Sequence, residues 1–180
     1  LGNAGQVLKV PSSGSVLEWA NDNSSSGGAS TLNGLTDVLI QNDSIFLNNF
    51  GSAPSTGTLN IASDNIAIGY QALSSITSAD DNIALGIGAL AQVTEGGSNI
   101  ALGHYAGNTL TTGEGNILLG YDAGRSMDAD ANNFIAIGQD AAREMKDGQQ
   151  IAIGANALKG SATTADNTGT LNTAIGTNAL

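Results

Sequence analysis

The sequence predicts an all-β protein folded as a parallel β-solenoid, in which each turn of the coil adds one short strand to the same sheet. Three observations predict this fold: a motif that occurs seven times, a nearly constant interval between its copies, and a composition unsuited to a thick core. The motif is first written as Asn65-Ile66-Ala67-Ile68-Gly69. A short repeat of this kind indicates stacked supersecondary units rather than one closed domain.

The glycine of the motif marks the period of the coil. Successive glycines are separated by 17, 17, 17, 18, 16 and 22 residues. They are Gly69, Gly86, Gly103, Gly120, Gly138, Gly154 and Gly176. Each is expected to turn the chain sharply, at a point where a Cβ atom would clash. One such coil encloses little volume, so its stability must come from stacking and association.

The composition favours a thin coil and excludes several classes of function. Hydrophobic residues make up 41% of the chain but aromatic residues only 4%, beside 25 glycines. The net charge is −11, and the five basic residues form no cluster along the sequence, so neither a phosphate-binding face nor a nucleic-acid partner is expected. There is no cysteine, which excludes disulfides and thiolate chemistry. The longest apolar run, Ala84 to Leu90, is too short to insert into a membrane.

The N-terminal part of the chain lacks the repeat. Val7–Val10 and Val16–Trp19 are short β-prone runs, and the turn-forming segment Pro11–Ser15 between them predicts a hairpin. Asn21 to Ser30 has the composition of a linker, and Leu35–Ile40 is a further strand candidate. We therefore assign residues 1–43 to a small irregular β segment.

The solenoid is predicted to cover residues 44–180 in about seven to eight coils. Its first coil is a degenerate copy, Ser44-Ile45-Phe46-Leu47-Asn48, in which Asn48 replaces the glycine because asparagine tolerates a left-handed backbone. The chain starts at Leu1 without a methionine and stops at Leu180 as the seventh motif closes. This indicates a piece of a longer repeat protein, truncated at its C-terminal end.

The triplet in each motif predicts a strand with two different faces. We expect the large aliphatic side chains to stack in two ladders that form the core of the coil, for which the candidates are Ile66, Ile68, Ile83, Leu85, Ile100 and Leu102. The alanine between them keeps the opposite face small, which predicts a neighbouring chain packed against that face. Cyclic self-association follows as the expectation. The recurring motif asparagine is predicted to form a hydrogen-bonded amide ladder rather than a ligand site.

The repeats resemble the head repeats of YadA-type trimeric autotransporter adhesins. With Gly69-Tyr70-Gln71-Ala72-Leu73 after the triplet, they resemble more closely the repeats of bacteriophage tail fibres, particularly those of marine and cyanobacterial phages. Three leader segments, Gly5–Leu8, Leu17–Trp19 and Leu32–Val38, are also similar to elements of phage fibre and virion proteins.

This resemblance implies a homotrimeric structural segment of a virion tail fibre, located outside the cell, that spaces or presents surfaces for binding a host receptor. The implied partners are further copies of the chain, other tail proteins, and a glycan or protein of the host surface. One alternative is the head of a trimeric adhesin on a bacterial surface. A second alternative is a tailspike that degrades polysaccharide.

Candidate chemical residues are few, and no catalytic residue or cofactor is assigned. Asp64, Asp80, Asp81, Glu95 and Glu114 lie in turn-forming segments and are interpreted as solvated acids rather than a glycosidase pair. A divalent cation bound by stacked acids is kept as an alternative.

Four ring-bearing residues are candidates for surface contacts. Tyr70, His104, Tyr105 and Tyr121 lie just after motif glycines. They are predicted either to form an exposed ridge for glycan or protein contact or to cap the turns by hydrophobic packing.

Overall fold

The structure is a computed structural model of the chain, and it describes residues 6–9, 18–21, 38–41, 43–47, 62–146, 149–160 and 169–179. Of the first three strands only the backbone is described. The strands are β1 (Gln6–Lys9), β2 (Glu18–Asn21), β3 (Val38–Gln41), β4 (Ser44–Leu47), β5 (Ile66–Ile68), β6 (Ile83–Leu85), β7 (Ile100–Leu102), β8 (Ile117–Leu119), β9 (Ile135–Ile137), β10 (Ile151–Ile153) and β11 (Thr173–Ile175).

The described strands form two sheets. β1 pairs with β2 in antiparallel orientation, as expected for the hairpin, and β3 pairs antiparallel with β4. From β4 to β11 every strand is parallel to the next in chain order, so that Ala67, Ala84 and Ala101 lie opposite one another. The all-β parallel solenoid is confirmed, and β4 is its first strand. Asn48 lies outside the described residues.

Each regular coil contains one three-residue strand, and the rest of the coil is made of turns. The turns use left-handed backbone at four fixed places, seen in the second coil at Asp81, Gly86, Gly88 and Leu90. Backbone hydrogen bonds join these turns from coil to coil, for example from the Leu73 amide to the Ala89 carbonyl at 3.1 Å. Parallel pairing therefore continues around the coil well beyond the strands.

The glycine column has the predicted role. The motif glycines from Gly69 to Gly176 have φ between 128° and 145°, a region that side-chain-bearing residues rarely adopt. A Cβ atom built on Gly69 would lie 2.7 Å from the carbonyl oxygen of Gly86, and the same overlap recurs at each glycine up to Gly154. The glycines are thus required both for the turn and for the close stacking of the coils.

The two faces of the strand are the reverse of those predicted. The central residue of each triplet is buried, with Ala67, Ala84 and Ala101 fully inside the coil. The flanking aliphatic residues point outwards: Ile66 is 38% exposed and Ile68 42%. The prediction that the aliphatic pair forms the core is therefore wrong for the single chain. The aliphatic residues that the prediction placed in the core are Ile66, Ile68, Ile83, Leu85, Ile100 and Leu102.

The reason is the narrow width of the coil. The space behind each alanine is filled by two other columns of side chains, which stand four and seven residues after the motif glycine. The members that pack there include Leu73, Ile76, Leu90, Val93, Leu110 and Met127, all buried. Only a methyl group fits between these columns and the strand, so the large side chains must face outwards.

Among the coils marked by a glycine, from β5 to β11, Leu118 is the one large residue at the alanine position, and its neighbours explain it. The fourth residue after the glycine is leucine in the first two complete coils but Gly107 and Gly124 in the next two. A Cβ atom on Gly107 would lie 2.6 Å from Leu118 Cδ1, and one on Gly124 would lie 2.9 Å from Leu118 Cδ2. Leu118 thus fills the space that the two glycines leave empty.

This compensation predicts the behaviour of two substitutions. Leu118→Ala should destabilise the fold by about 2–5 kcal/mol, because it opens a cavity beside both glycines. Gly107→Leu should recover part of that loss in the Leu118→Ala background and should be destabilising on its own through overpacking. Leu73 and Leu90 hold the equivalent place with φ of 49° and 50°, so the backbone there accepts leucine.

Chemical denaturation of both single variants and the double variant measures this coupling. If Gly107→Leu lowers the free energy of unfolding as much in the Leu118→Ala background as in the native chain, the side chains at 107 and 118 do not share one space.

Candidate functional site

The motif asparagines form the predicted ladder inside the coil. Asn82, Asn99 and Asn116 are fully buried, and each donates its Nδ2 hydrogen to Oδ1 of the asparagine one coil earlier, at 2.8–3.1 Å. The same Oδ1 also accepts the backbone amide of the later asparagine, at 3.0 Å in each pair. With its amide groups used in this way, the column is structural, as predicted.

The ladder changes its members where the coil length changes. Phe134 replaces asparagine in the 18-residue coil, and its amide still donates to Asn116 Oδ1 at 2.9 Å. Gln150 then takes the position, and Asn172 Nδ2 donates to Gln150 Oε1 at 3.0 Å. At the other end the Asn65 amide donates to the Ser44 hydroxyl oxygen at 2.9 Å. Ser44 therefore starts the ladder.

The residues just after the motif glycines line one corner of the coil. Tyr70, Ile87, His104 and Tyr121 occupy the same place in four successive coils. Tyr70 and Tyr121 are exposed, and Tyr121 stacks on His104 with ring centroids 5.3 Å apart and an angle of 12° between the planes. In such a stack the rings cover one another's faces along the coil axis and present their edges to solvent.

Tyr105 differs from the other tyrosines because it stands one place later in its coil, at φ 57°. Its ring covers the backbone of Gly88, where an added Cβ atom would lie 2.5 Å from Tyr105 Cδ1. The Arg125 guanidinium lies over the ring, 4.6 Å from its centroid. Tyr105 therefore caps a turn, whereas Tyr70 and Tyr121 are on the surface.

Three of the five basic residues cluster, contrary to the prediction from the sequence. Arg125, Arg143 and Lys159 each stand five residues after a motif glycine, in three successive coils. The coil therefore brings into one column residues that are 16 and 18 positions apart. Aligning the copies on their glycines, rather than looking for adjacent bases, would have revealed this column.

Acidic residues lie beside the basic column. Asp122 and Asp140 stand two residues after their glycines, and Asp122 Oδ2 is 3.1 Å from Arg125 Nη1 and 3.7 Å from Arg143 Nε. Asp140 pairs with Arg143 at 3.3 Å and with Lys159 at 3.8 Å. We call the residues His104, Tyr121, Asp122, Arg125, Asp140, Arg143 and Lys159 the basic corner.

The basic corner also contains atoms without a hydrogen bond. Among the described residues, three buried side-chain polar atoms lack a hydrogen-bond partner: His104 Nδ1, Asp122 Oδ1 and Arg143 Nε. All three belong to this corner. Arg143 Nε is nevertheless 3.4 Å from Glu144 Oε1, within ion-pair distance. Because buried polar atoms are nearly always hydrogen-bonded, the other two, His104 Nδ1 and Asp122 Oδ1, indicate unused binding capacity.

The other acidic candidates are dispersed. Asp64, Asp80, Asp81, Glu95 and Glu114 are all exposed. A glycosidase acid needs burial to raise its pKa, so these five residues give the tailspike alternative no support. Within the described ranges no group of three or more acidic, histidine or cysteine side chains could hold a metal ion. An open polar groove of about 720 Å³ lies along Ser98, Glu114 and Asn132.

No family model, curated protein or solved structure matches the chain. The resemblance to tail-fibre and adhesin repeats therefore stays a prediction from the motifs. In the part of the chain that the structure describes, no helix is long and apolar enough to cross a membrane.

Proposed function

We propose that this chain is a structural segment of an extracellular fibre, a phage tail fibre, in which three copies associate into a rod that spaces or presents surfaces for host attachment. Its partners are then other copies of itself, other tail proteins, and a glycan or protein of the host surface. The observation that carries the proposal is the outward-facing aliphatic surface of the parallel sheet.

This surface is unusual for a chain that stays alone in water. Two columns of isoleucine and leucine run side by side along the sheet, one pair per strand. We call the central part of these columns, Ile66, Ile68, Ile83, Leu85, Ile100, Leu102, Ile117 and Leu119, the outer aliphatic face. Its residues are all partly exposed, at most 42%, and a contiguous apolar patch of this kind is typical of an interaction surface.

The regular spacing of the face favours another copy of the chain as the occupant. Its side chains repeat once per coil, at the interval of about 4.8 Å that separates paired strands. A surface that repeats at the same interval, and is equally apolar, is the outer aliphatic face of a second copy. Closed cyclic symmetry then leaves no copy with an uncovered face. A homotrimer is the assembly that the resemblance implies.

The interior of the coil supports a role as a stiff spacer. The asparagine ladder and the in-register strands tie each coil to the next, and the variable turns provide repeated sites for weak contacts. Three parallel chains would present each contact several times, which raises the overall avidity without any single strong site.

A pair of substitutions tests the association. Ile83→Gln with Ile100→Gln should leave the circular dichroism spectrum unchanged but reduce the mass measured by sedimentation to that of one 17.9 kDa chain. Ile87→Gln is the matched control, because Ile87 is 45% exposed but lies at the corner, outside the sheet face. The control should keep the mass of the unmodified assembly.

Two results would contradict the self-association. One is a native chain that is already a monomer at micromolar concentration. The other is a loss of mass in the Ile87→Gln control equal to that in the double variant. The fibre role is tested separately with an antibody against the chain: labelling along the tail fibres of intact virions supports it, and labelling of a bacterial surface supports the adhesin alternative instead.

A further inference from the structure

In the basic corner, the positive and the negative side chains lie at different depths below the protein surface. The side chains of Asp122 and Asp140 are 3% and 10% exposed, whereas those of Arg125 and Lys159 are 36% and 41% exposed. Solvent therefore meets the cations first, with the carboxylates beneath them. Glu144 also pairs with Arg143, at 3.4 Å, so three cations and three carboxylates balance one another here. The outermost groups are nevertheless the cations, which favours an anionic ligand at the surface of the corner.

The hydrogen-bonding capacity of the corner is only partly used. Asp122 is almost completely buried, yet its Oδ1 atom has no hydrogen bond, and His104 Nδ1 also has none. A carboxylate oxygen accepts a hydrogen bond, and an imidazole nitrogen either donates or accepts one. A hydroxyl group, which donates and accepts at once, suits such a set of partners.

The spacing of the cations helps to identify the ligand. Arg125, Arg143 and Lys159 come from successive coils, which are about 4.8 Å apart. An extended peptide places side chains on one side about 6.8 Å apart, so its acidic groups do not match the cations. In a chain of sugar rings, each ring adds a length roughly equal to the height of one coil, and every ring carries hydroxyl groups. The exposed edge of Tyr121 lies next to this column and offers an apolar contact.

We propose that the basic corner is a binding site for an acidic saccharide, whose carboxylates pair with Arg125, Arg143 and Lys159. As these side chains turn towards the ligand, its hydroxyl groups gain access to the unbonded atoms of His104 and Asp122. Arginine is suited to this role because its planar guanidinium binds carboxylates in a two-pronged geometry. The inference deepens the presenting role of the proposed function and rests on it. Every residue of the site nevertheless belongs to one chain.

The test is calorimetric titration of the full chain with a tetrasaccharide of galacturonic acid. A neutral galactose tetrasaccharide, a tetraglutamate peptide and a short single-stranded DNA are titrated in parallel. The acidic saccharide should bind more tightly than the other three, and its affinity should fall as salt is added. Lys159→Gln combined with Arg125→Gln should weaken it at least about tenfold, because charge-assisted hydrogen bonds of this number are worth such a factor.

Lys146→Gln is the matched control. It removes the same charge, but Lys146 pairs with Asp128 and lies outside the basic corner. Arg143 is left intact, since it contacts Asp122, Asp140 and Glu144, and its removal would take a partner from three carboxylates at once. Lys159→Gln alone, and Tyr121→Leu, provide readouts if the double variant is unstable. Each should weaken binding more than the control does.

Three results would overturn the site: no binding of the acidic saccharide, equal loss in Lys146→Gln, or tighter binding of the peptide or the DNA. Sedimentation of the same samples separates this proposal from the assembly. If a variant loses saccharide binding but keeps the mass of the native assembly, the result bears on the basic corner alone. If the native chain is monomeric yet binds the saccharide, only the assembly is contradicted.

Discussion

Gly103→Ala is expected to unfold the central coils or to cost the protein several kcal/mol of stability. Two penalties combine at this position. The backbone has φ 145°, which costs an alanine about 1–3 kcal/mol. The added Cβ atom would also overlap the carbonyl of Gly120. That carbonyl accepts the Ala123 amide within its own turn, and the Gly120 amide donates to Leu102 in the preceding coil, so the residue is fixed in place. Relief requires the two coils to separate.

Gly176→Ala is the control that separates the cost of backbone strain from the cost of steric overlap. Gly176 has a similar φ of 128°, but no atom lies within 4 Å of a Cβ built there. It should therefore cost only the backbone strain, about 1–3 kcal/mol. The free energies of unfolding of both variants are compared by denaturant titration. Equal losses at the two positions would mean that close stacking of the coils does not determine the choice of glycine.

Asn99→Ala is expected to lower the free energy of unfolding by about 3–5 kcal/mol, because it removes four buried hydrogen bonds at once. The Asn116 amide and its Nδ2 lose their shared acceptor, at 3.0 and 2.8 Å. Asn82 Oδ1 and the Gly113 carbonyl each lose a donor, at 3.0 and 2.9 Å. All of these groups are closed off from water inside the coil, so no solvent molecule replaces the amide.

Asn172→Ala is the control at a less buried position of the asparagine ladder. Asn172 occupies the same position of the motif but is only partly buried, and within the described part of the chain its side chain donates one hydrogen bond, to Gln150 Oε1. Its loss should cost about 1 kcal/mol. Thermal unfolding of the two variants ranks them. A loss at Asn172 as large as that at Asn99 would contradict a ladder whose strength depends on burial.

The local features of the fold could be predicted because they depend on residues close together in the sequence. The aliphatic–alanine–aliphatic triplet predicts a strand, and the following glycine predicts a turn; both are confirmed from β5 to β11. The asparagine ladder was equally predictable, because parallel stacking in register puts like residues above one another.

The direction of the two strand faces could not be predicted in the same way. Alternation tells which residues share a face, but it does not tell which face is inside. That is decided by the width of the coil, which depends on Leu73 and Ile76, several residues further along the chain. A pair of isoleucines therefore looked like a core, although the space behind the strand admits only Ala67.

The basic corner shows a second limit. Arg125, Arg143 and Lys159 are dispersed along the sequence, and only the closing of each coil places them side by side. Coil lengths of 18 and 16 residues separate them, so even a search at a fixed period of 17 would have missed their alignment.

The measurement that tests the central claim most directly is the chemical reactivity of the outer aliphatic face in solution. The chain has no cysteine, so Leu102→Cys introduces a single reporter on that face, and Thr112→Cys introduces one in an exposed turn. If another copy covers the face, the thiol at 102 reacts with a maleimide far more slowly than the thiol at 112. That protection should disappear on dilution to the single-chain mass. Equal reaction rates at all concentrations would show that the face is open and would contradict the assembly.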